Sequence, residues 1–269
     1  MYARVLAGLA LAAIASIAIY AFLLEPNNPV VEEVVVESPE IPEELAGFRI
    51  VQLSDLHLHG IGPREAKSLE LVRELEPHLI VVTGDLLDDP AYLRAVLQYI
   101  GELGEIAPVL VVYGNWDHWA GVDLGELEKA LESTGSAEVL VNEAVSPVEG
   151  LVVAGVDDPH TGRADLGRAL RGVREGDFVV LLAHSPEILG RAAGRVDLVL
   201  AGHTHGGQVV LPLLGPIFLP VPPEYRQYAS GTFRINGTVV HVSRGLGTSV
   251  IPVRLLCPPE VTLVVLERG

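Results

Sequence analysis

The chain has 269 residues, 49% of them hydrophobic, enough for one globular domain of about 200 to 250 residues and an additional segment. Its formal net charge is -17, from 35 acidic and 18 basic residues with no Lys/Arg run, which argues against nucleic acid as a partner. The single cysteine, Cys257, excludes an intramolecular disulfide and a cysteine-based zinc site, and suits a small core hydrophobe better than a nucleophile.

The additional segment comes first in the chain. Val5 to Leu24, "VLAGLALAAIASIAIYAFLL", holds twenty residues without a charge and predicts a helix of about 30 Å, the thickness of a bilayer core. A retained transmembrane helix is favoured over a cleaved signal peptide. The run exceeds the usual apolar region of such peptides, and the Ala13-x-Ala15 pair lies inside it rather than after it. Arg4 precedes the run, Glu25, Glu32, Glu33 and Glu37 follow it, and the next basic residue is Arg49. The positive-inside rule then predicts a single-pass plasma-membrane protein with a cytoplasmic N-terminus and an extracytoplasmic domain. Residues 1–24 are thus read as the anchor. Residues 25–46, rich in Pro and Glu, are read as a linker with a short edge strand at Val34–Val36, and residues 47–269 as the domain.

Within the domain, apolar and largely β-branched runs end abruptly in metal-type side chains. They are "RIVQLSDLH" (49–57), "LIVVTGD" (79–85), "VLVVYGN" (109–115), "FVVLLAHS" (178–185) and "DLVLAGHTH" (197–205). Each predicts a strand buried on both faces that releases a ligand at its C-terminal end. Helical patterns at 63–76, 91–103 and 124–133 separate the early strands, which argues an α/β fold with its site at the strand ends. After Gly206 only shorter strands are expected ("GQVVL", "GTFRI", "TVVHVS", "VTLVVLE"), so a second sheet should pack on the first with helices outside.

The strand ends supply Asp55, His57, Asp85, Asn115, His184, His203 and His205: two carboxylates, one amide and four imidazoles. One divalent ion rarely takes seven ligands of this mixture, whereas two ions sharing a carboxylate can. Asp85, which follows a glycine, is the best bridge. Two such ions about 3.5 to 4 Å apart clamp a phosphoryl group and lower the pKa of a bridging water, giving a hydroxide for in-line attack. Imidazole-rich ligation argues against Ca or a pure Mg site and for Mn, Fe or Zn, with Mn favoured.

In order, "DLH", "GD", "GNWDH", "H" and "GHTHGGQ" resemble the motifs D-x-H, G-D, G-N-H-D/E, H and G-H-x-H of the calcineurin-like metallophosphoesterase family, over residues 48–267. The tail "VSRGLGTSVIPVRLLCPPEVTLVVL" is similar to the membrane-associated YkuE/YaeI-type phosphodiesterase branch of that family. The resemblance implies a four-layer α/β/β/α sandwich. It further implies one metal on Asp55, His57, Asp85 and His205, and another on Asp85, Asn115, His184 and His203. It also implies action on phosphodiesters, and in some relatives on lipid-linked substrates such as UDP-diacylglucosamine.

One position departs from the family motif. The residue after Asn115, a histidine in the family that contacts phosphate or protonates the leaving group, is Trp116, whose indole N–H can donate a hydrogen bond but no proton near neutral pH. His118 is the candidate for the acid role, the competing assignment being a supporting or surface histidine. Asp117 either orients it or caps the following helix. His59, His78, His160 and His241 have no motif behind them. Asp157 and Asp158 line the pocket or form a turn, and Arg244 contacts phosphate or makes a structural salt bridge. The stretch Val209–Tyr225, with five prolines, reads as an apolar loop that contacts membrane or lipid if exposed and is ordinary loop packing if buried. The expected activity is hydrolysis of a phosphodiester or pyrophosphate bond, the lipid-linked substrate lying at the membrane. A phosphomonoesterase or nucleotide phosphatase, and a non-catalytic membrane-tethered binding module, are the alternatives.

Overall fold

A computed structural model describes residues 2–269. In chain order the strands are β1 (Val30–Glu37), β2 (Phe48–Leu53), β3 (Leu79–Thr83), β4 (Val109–Val112), β5 (Ala137–Val139), β6 (Glu143–Val148), β7 (Leu151–Gly155), β8 (Phe178–Leu182), β9 (Leu198–Ala201), β10 (Val210–Leu211), β11 (Gly215–Pro216), β12 (Gly231–Ile235), β13 (Thr238–Val242) and β14 (Glu260–Glu267). The α-helices are α1 (Tyr2–Ile19), α2 (Pro63–Leu75), α3 (Leu93–Gly104), α4 (Asn115–Trp119), α5 (Leu124–Glu132), α6 (Leu166–Ala169) and α7 (Leu189–Ala192).

The strands form two six-stranded sheets, in the orders β1-β14-β2-β3-β4-β5 and β12-β13-β9-β8-β7-β6, and a small β10-β11 hairpin. Within the sheets, β2, β3, β4 and β5 run parallel to one another, as do β7, β8, β9 and β13. The two-residue period of a strand explains the layering. Val51, Leu53, Ile80, Val82 and Val111 point to one face of the first sheet, where α2, α3 and α5 cover them with Leu69, Val72, Ile100, Leu103 and Leu127. Their neighbours Ile50, Val81, Leu110 and Val112 point the other way and meet Leu151, Val153, Val180, Leu182 and Leu200 of the second sheet. On that sheet's outer face Ala154, Val179, Leu181 and Val199 pack with Leu166, Ile188 and Leu189 near α6 and α7. The result is the expected four-layer α/β/β/α sandwich.

Residues 25–46, expected as a linker, belong instead to the domain. β1 is an eight-residue edge strand pairing in parallel with β14 from Val30–Glu260 to Glu37–Glu267. Its pattern puts Val34 and Val36 into the core between the sheets and leaves its glutamates outward, the charged edge that discourages pairing with another chain. β14 inserts between β1 and β2, antiparallel to the latter, so the last strand of the chain completes the first sheet rather than the second.

α1 and the wider turn Tyr20–Leu24 continue one apolar helix, which ends at Glu25–Asn27 where Pro26 follows Glu25. No side chain of α1 is buried. From Tyr2 to Asn27 the segment is long and apolar enough to cross a membrane.

Candidate metal centre

Parallel strands from both sheets end at one edge, and the loops that leave them carry the predicted ligands. β2 and β3 release Asp55, His57 and Asp85, while Asn115 opens α4 after β4. β8 and β9 of the other sheet release His184, His203 and His205. Asp55, His57, Asp85, His203 and His205 all have left-handed backbones, with φ between 40° and 71°. Non-glycine residues enter that region at a cost, and such strain gathers where side chains must leave a strand at a fixed angle.

The ligand atoms form two groups. Those of Asp55, His57, Asp85 and His205 lie within 4.8 Å of one another, as do those of Asp85, His184 and His203, so Asp85 is common to both. Asp85 Oδ2 lies 3.4 Å from His57 Nε2 and 3.3 Å from His184 Nε2, and Asp55 Oδ1 lies 3.4 Å from His205 Nε2. His184 Nε2 is 3.1 Å from Asn115 Oδ1 and 3.0 Å from His203 Nδ1. All seven side chains belong to buried residues. The structure therefore brings together the complete set expected from sequence.

The surroundings fix the tautomers. His184 Nδ1 donates to the Thr83 carbonyl at 2.9 Å, and His203 Nε2 donates to the Pro220 carbonyl at 2.9 Å. Each thereby turns its other nitrogen toward the shared point, the arrangement by which carbonyls orient metal-binding imidazoles. Against the effect of burial, Asp85 holds the His184 pKa well above its ordinary value, so a divalent ion would take the place of a proton on that nitrogen. Burial and the neighbouring His184 push the His203 pKa down to about 3, and burial with His57 holds His205 well below the usual imidazole range, so both are neutral. Burial raises Asp55; at Asp85 it is outweighed by His184 and His57, which hold that carboxyl well below its ordinary value.

Do these residues fit metal ions? Both ring nitrogens of His57 and Nδ1 of His205 are buried without a hydrogen-bond partner. An unsatisfied buried polar atom costs about 1 to 3 kcal/mol, so two rings so poorly satisfied, each with one nitrogen in the donor group, call for a ligand. With two carboxylates, an amide oxygen and imidazole lone pairs converging around them, two divalent cations satisfy the set.

Asp117 supports the centre from beneath. Its carboxylate accepts from the backbone N–H of Asp85 at 2.9 Å, Leu86 at 2.8 Å and Gly114 at 2.8 Å, tying the β3 loop to the β4 loop. It caps the start of α4, one of its two expected roles, and does not touch His118. Burial and the Asp85 charge push its pKa up to about 7.

A cavity of about 570 Å³ opens on the centre, bordered by Asp85, Asn115, His203 and His205. Its walls include Trp116, Trp119, Ile217, Phe218, Val250 and Ile251, and neither Lys nor Arg lines it. His118, the expected acid, is not among its lining residues. Its Nε2 pairs with Asp157 Oδ1 at 2.6 Å and its ring meets Tyr113 edge-on. The structure thus places His118 beside Asp157 and not in the cavity wall. Besides the metal-site residues His203 and His205, the histidine that reaches the cavity is His160, whose Nδ1 is 2.7 Å from Glu187 Oε1 and whose ring lies 4.5 Å from that of His203. No sequence motif marked it. Asp158 is the turn former, accepting from the N–H groups of His160 and Thr161, while Asp157 holds His118. His59 pairs with Asp88, His78 accepts from the Arg49 N–H, and His241 pairs with Glu260, all away from the cavity. Cys257 is buried, with its thiol against the His205 carbonyl at 3.3 Å.

Arg244 is structural, bonding Glu260 at 2.6 Å and Glu32 at 3.1 Å. Burial would raise the pKa of Glu260, but His241, Arg244 and Thr262 hold it at about 2 in the folded chain, below an ordinary 4.5. A depressed carboxyl pKa stabilises above the unfolded value and loses that contribution as pH falls toward the folded one. The stability gap between wild type and Glu260→Gln should therefore be about 3 kcal/mol near pH 6 and shrink toward pH 2. Urea unfolding across that window measures it, and a gap independent of pH would refute the linkage.

The two-sheet α/β sandwich, with paired Asp/His donor groups sharing one aspartate at the strand ends, defines a class of two-metal hydrolase fold. A model of the calcineurin-like phosphoesterase family matches residues 48–207. The chain is 35% identical to the uncharacterized metallophosphoesterase YkuE of Bacillus subtilis, over 92% of this chain and 89% of that protein. It is 30% identical to the phosphodiesterase YaeI of Escherichia coli, over 82% of this chain and 83% of that protein. It is also 30% identical to a transmembrane protein with metallophosphoesterase domain from Danio rerio, over 97% of this chain but 62% of that protein. The chain belongs to the calcineurin-like phosphoesterase family.

Proposed function

We propose that the protein is a membrane-anchored, two-metal phosphodiesterase that cleaves a phosphodiester or pyrophosphate bond of a lipid-linked substrate. The observation that carries this reading is the pair of donor groups sharing Asp85 on the floor of a largely apolar cavity. Two divalent ions there would supply Lewis-acid activation of water and positive charge for the phosphoryl oxygens. Asp55, His57, Asp85 and His205 would hold one, and Asp85, Asn115, His184 and His203 the other.

The cavity favours a diester over a monoester. A terminal phosphate dianion calls for cationic side chains beyond the metals, and the lining offers neither Lys nor Arg. A diester carries one charge and a second substituent, for which Ile217, Phe218, Val250 and Ile251 provide an apolar wall. The name of the Escherichia coli relative supports the same choice. Anchoring is supported by the exposed apolar helix Tyr2–Leu24 and by the name of the Danio rerio relative. Arg4 before that helix and the glutamates after it favour an extracytoplasmic domain at the plasma membrane.

His160 takes the role expected of His118. Its Nδ1 is held by Glu187, which leaves Nε2 to meet the leaving-group oxygen. The test assays the full chain with added Mn on paired diester and monoester model substrates. Diester cleavage should dominate, and predominant monoester cleavage would overturn the reading. His160→Ala should lower kcat about 100-fold. His118→Gln, which keeps a donor toward Asp157, should change kcat less than about threefold; the reverse order would return the acid role to His118.

A further inference from the structure

Two stretches near the cavity contain no charged residue, 209–223 and 245–253. Apolar side chains in such segments ordinarily turn inward, yet here they face solvent. Leu213 is fully exposed, Leu214 is 80% exposed, Phe218 68% and Val250 87%, with Ile217 and Ile251 also exposed. Contiguous exposed apolar surface of this kind marks an interaction site.

The two stretches are fastened to each other and to the end of the apolar helix. The Gln208 side chain bonds the Ser249 N–H at 2.6 Å and the Ile251 carbonyl at 3.2 Å, and the Val210 N–H donates to the Leu255 carbonyl at 2.9 Å. On the other side the Arg254 N–H donates to the Ala21 carbonyl at 2.9 Å. The buried Glu25 carboxylate accepts from Leu256 N–H at 3.0 Å and Cys257 N–H at 2.5 Å. Between them the fully buried Arg254 guanidinium donates to the carbonyls of Arg244, Gly245, Gly247 and Cys257, clamping the tail loop without a carboxylate partner. Helix end, tail loop and β10-β11 hairpin thus form one rigid body. Ile217, Phe218, Val250 and Ile251 on that body also line the cavity.

We propose that the tip of the β10-β11 hairpin and the 250–251 loop insert into the leaflet where the helix ends. The cavity mouth then rests on the bilayer and receives its substrate laterally. The proposal builds on the anchor and lipid-substrate reading above. It adds a second, independent membrane contact and fixes the orientation of the active site. The occupant is a bilayer because the apolar rim is tied through the tail loop to the end of a helix whose Tyr2–Ile19 stretch buries no side chain, and neither stretch offers charge to a protein partner. In a chain of net charge -17, these uncharged segments are also surface that anionic lipid repels little.

The test uses the full chain in phosphatidylcholine vesicles carrying nitroxide-labelled lipid. An environment-sensitive fluorophore is attached at Leu213→Cys, Val250→Cys, Ile14→Cys in the helix, or Glu149→Cys on the exposed β6-β7 turn. Quenching at positions 14, 213 and 250 should be at least twice that at 149. If 14 is quenched but 213 and 250 match 149, the docking surface is refuted while the anchor stands. Absence of quenching at 14 would refute the anchor and this proposal together. A second measurement uses the double variant Leu213→Ser/Leu214→Ser, neither residue lining the cavity. It should cut turnover of a vesicle-borne lipid diester about tenfold and leave a water-soluble diester within twofold. Equal losses on both substrates would overturn the proposal.

Discussion

Replacing Asp85 by Asn is expected to lower kcat/KM at least about 1000-fold, equivalent to about 4 kcal/mol of transition-state stabilisation. Metal content should fall from two ions per chain to one or none. Asp85 is the residue common to both donor groups, with Oδ2 between His57 and His184. An amide can still accept the Trp116 N–H that now bonds Oδ1 at 2.8 Å, so the loop keeps its shape. What the amide cannot keep is the negative charge that two cations share. Asn115→Ala touches one group only and should cost one ion and less activity. Elemental analysis beside initial rates, with circular dichroism to establish folding, decides the matter. Two ions retained by Asp85→Asn, with activity within tenfold of wild type, would show that Asp85 does not bridge.

The metal centre was legible in the sequence because its ligands end buried strands. A run such as "LIVVT" must be sheet, and the polar residues that follow must lie at the sheet's edge. The histidine proposed here as proton donor was less legible, and the reason is helical geometry. α4 turns about 100° per residue, so Asn115, Trp116 and Trp119 face the cavity while Asp117 points beneath the β3 loop and His118 turns toward Asp157. Nearness to a motif was therefore a poor guide to nearness to the site. His160 arrives from the loop after β7, forty-two positions beyond His118, through the pairing of the second sheet, a long-range contact without a local signal. The 25–46 segment misled for a related reason. Its prolines and glutamates read as a linker, but the valine-rich run "VVEEVVVE" makes an edge strand once β14 is there to pair with it. The exposed apolar loop was legible only as a choice between exposure and packing, because prolines exclude a helix without saying which way the leucines turn.

Gly114→Ala should be among the most damaging of the smallest substitutions in this chain. β4 must pass so close to the β3 loop that a methyl group at Gly114 would meet the Asp85 carboxylate, with the Asp85 nitrogen at 2.6 Å and His184 Nδ1 at 2.8 Å. Across the same gap, a methyl at Gly84 would meet His184 Nδ1 at 2.6 Å and the Gly114 nitrogen at 2.7 Å. Two glycines thus press two strand ends together so that Asp85, Asn115 and His184 can converge, and the Asp117 carboxylate staples the loops in place. A Cβ there cannot be absorbed by a flexible side chain, since the obstacles are backbone and the ligands themselves. We expect a loss of about 3 kcal/mol, the upper part of the range for overpacking, and a Tm lower by about 6 to 12 °C. Metal stoichiometry should fall with it. Gly101→Ala, in α3 where an added methyl meets nothing within 4 Å, should instead stabilise by about 0.5 to 1 kcal/mol through helix propensity. Thermal melts with and without added Mn compare the two. If Gly114→Ala melts like wild type and keeps both ions, close approach of the strand ends is not what builds the centre.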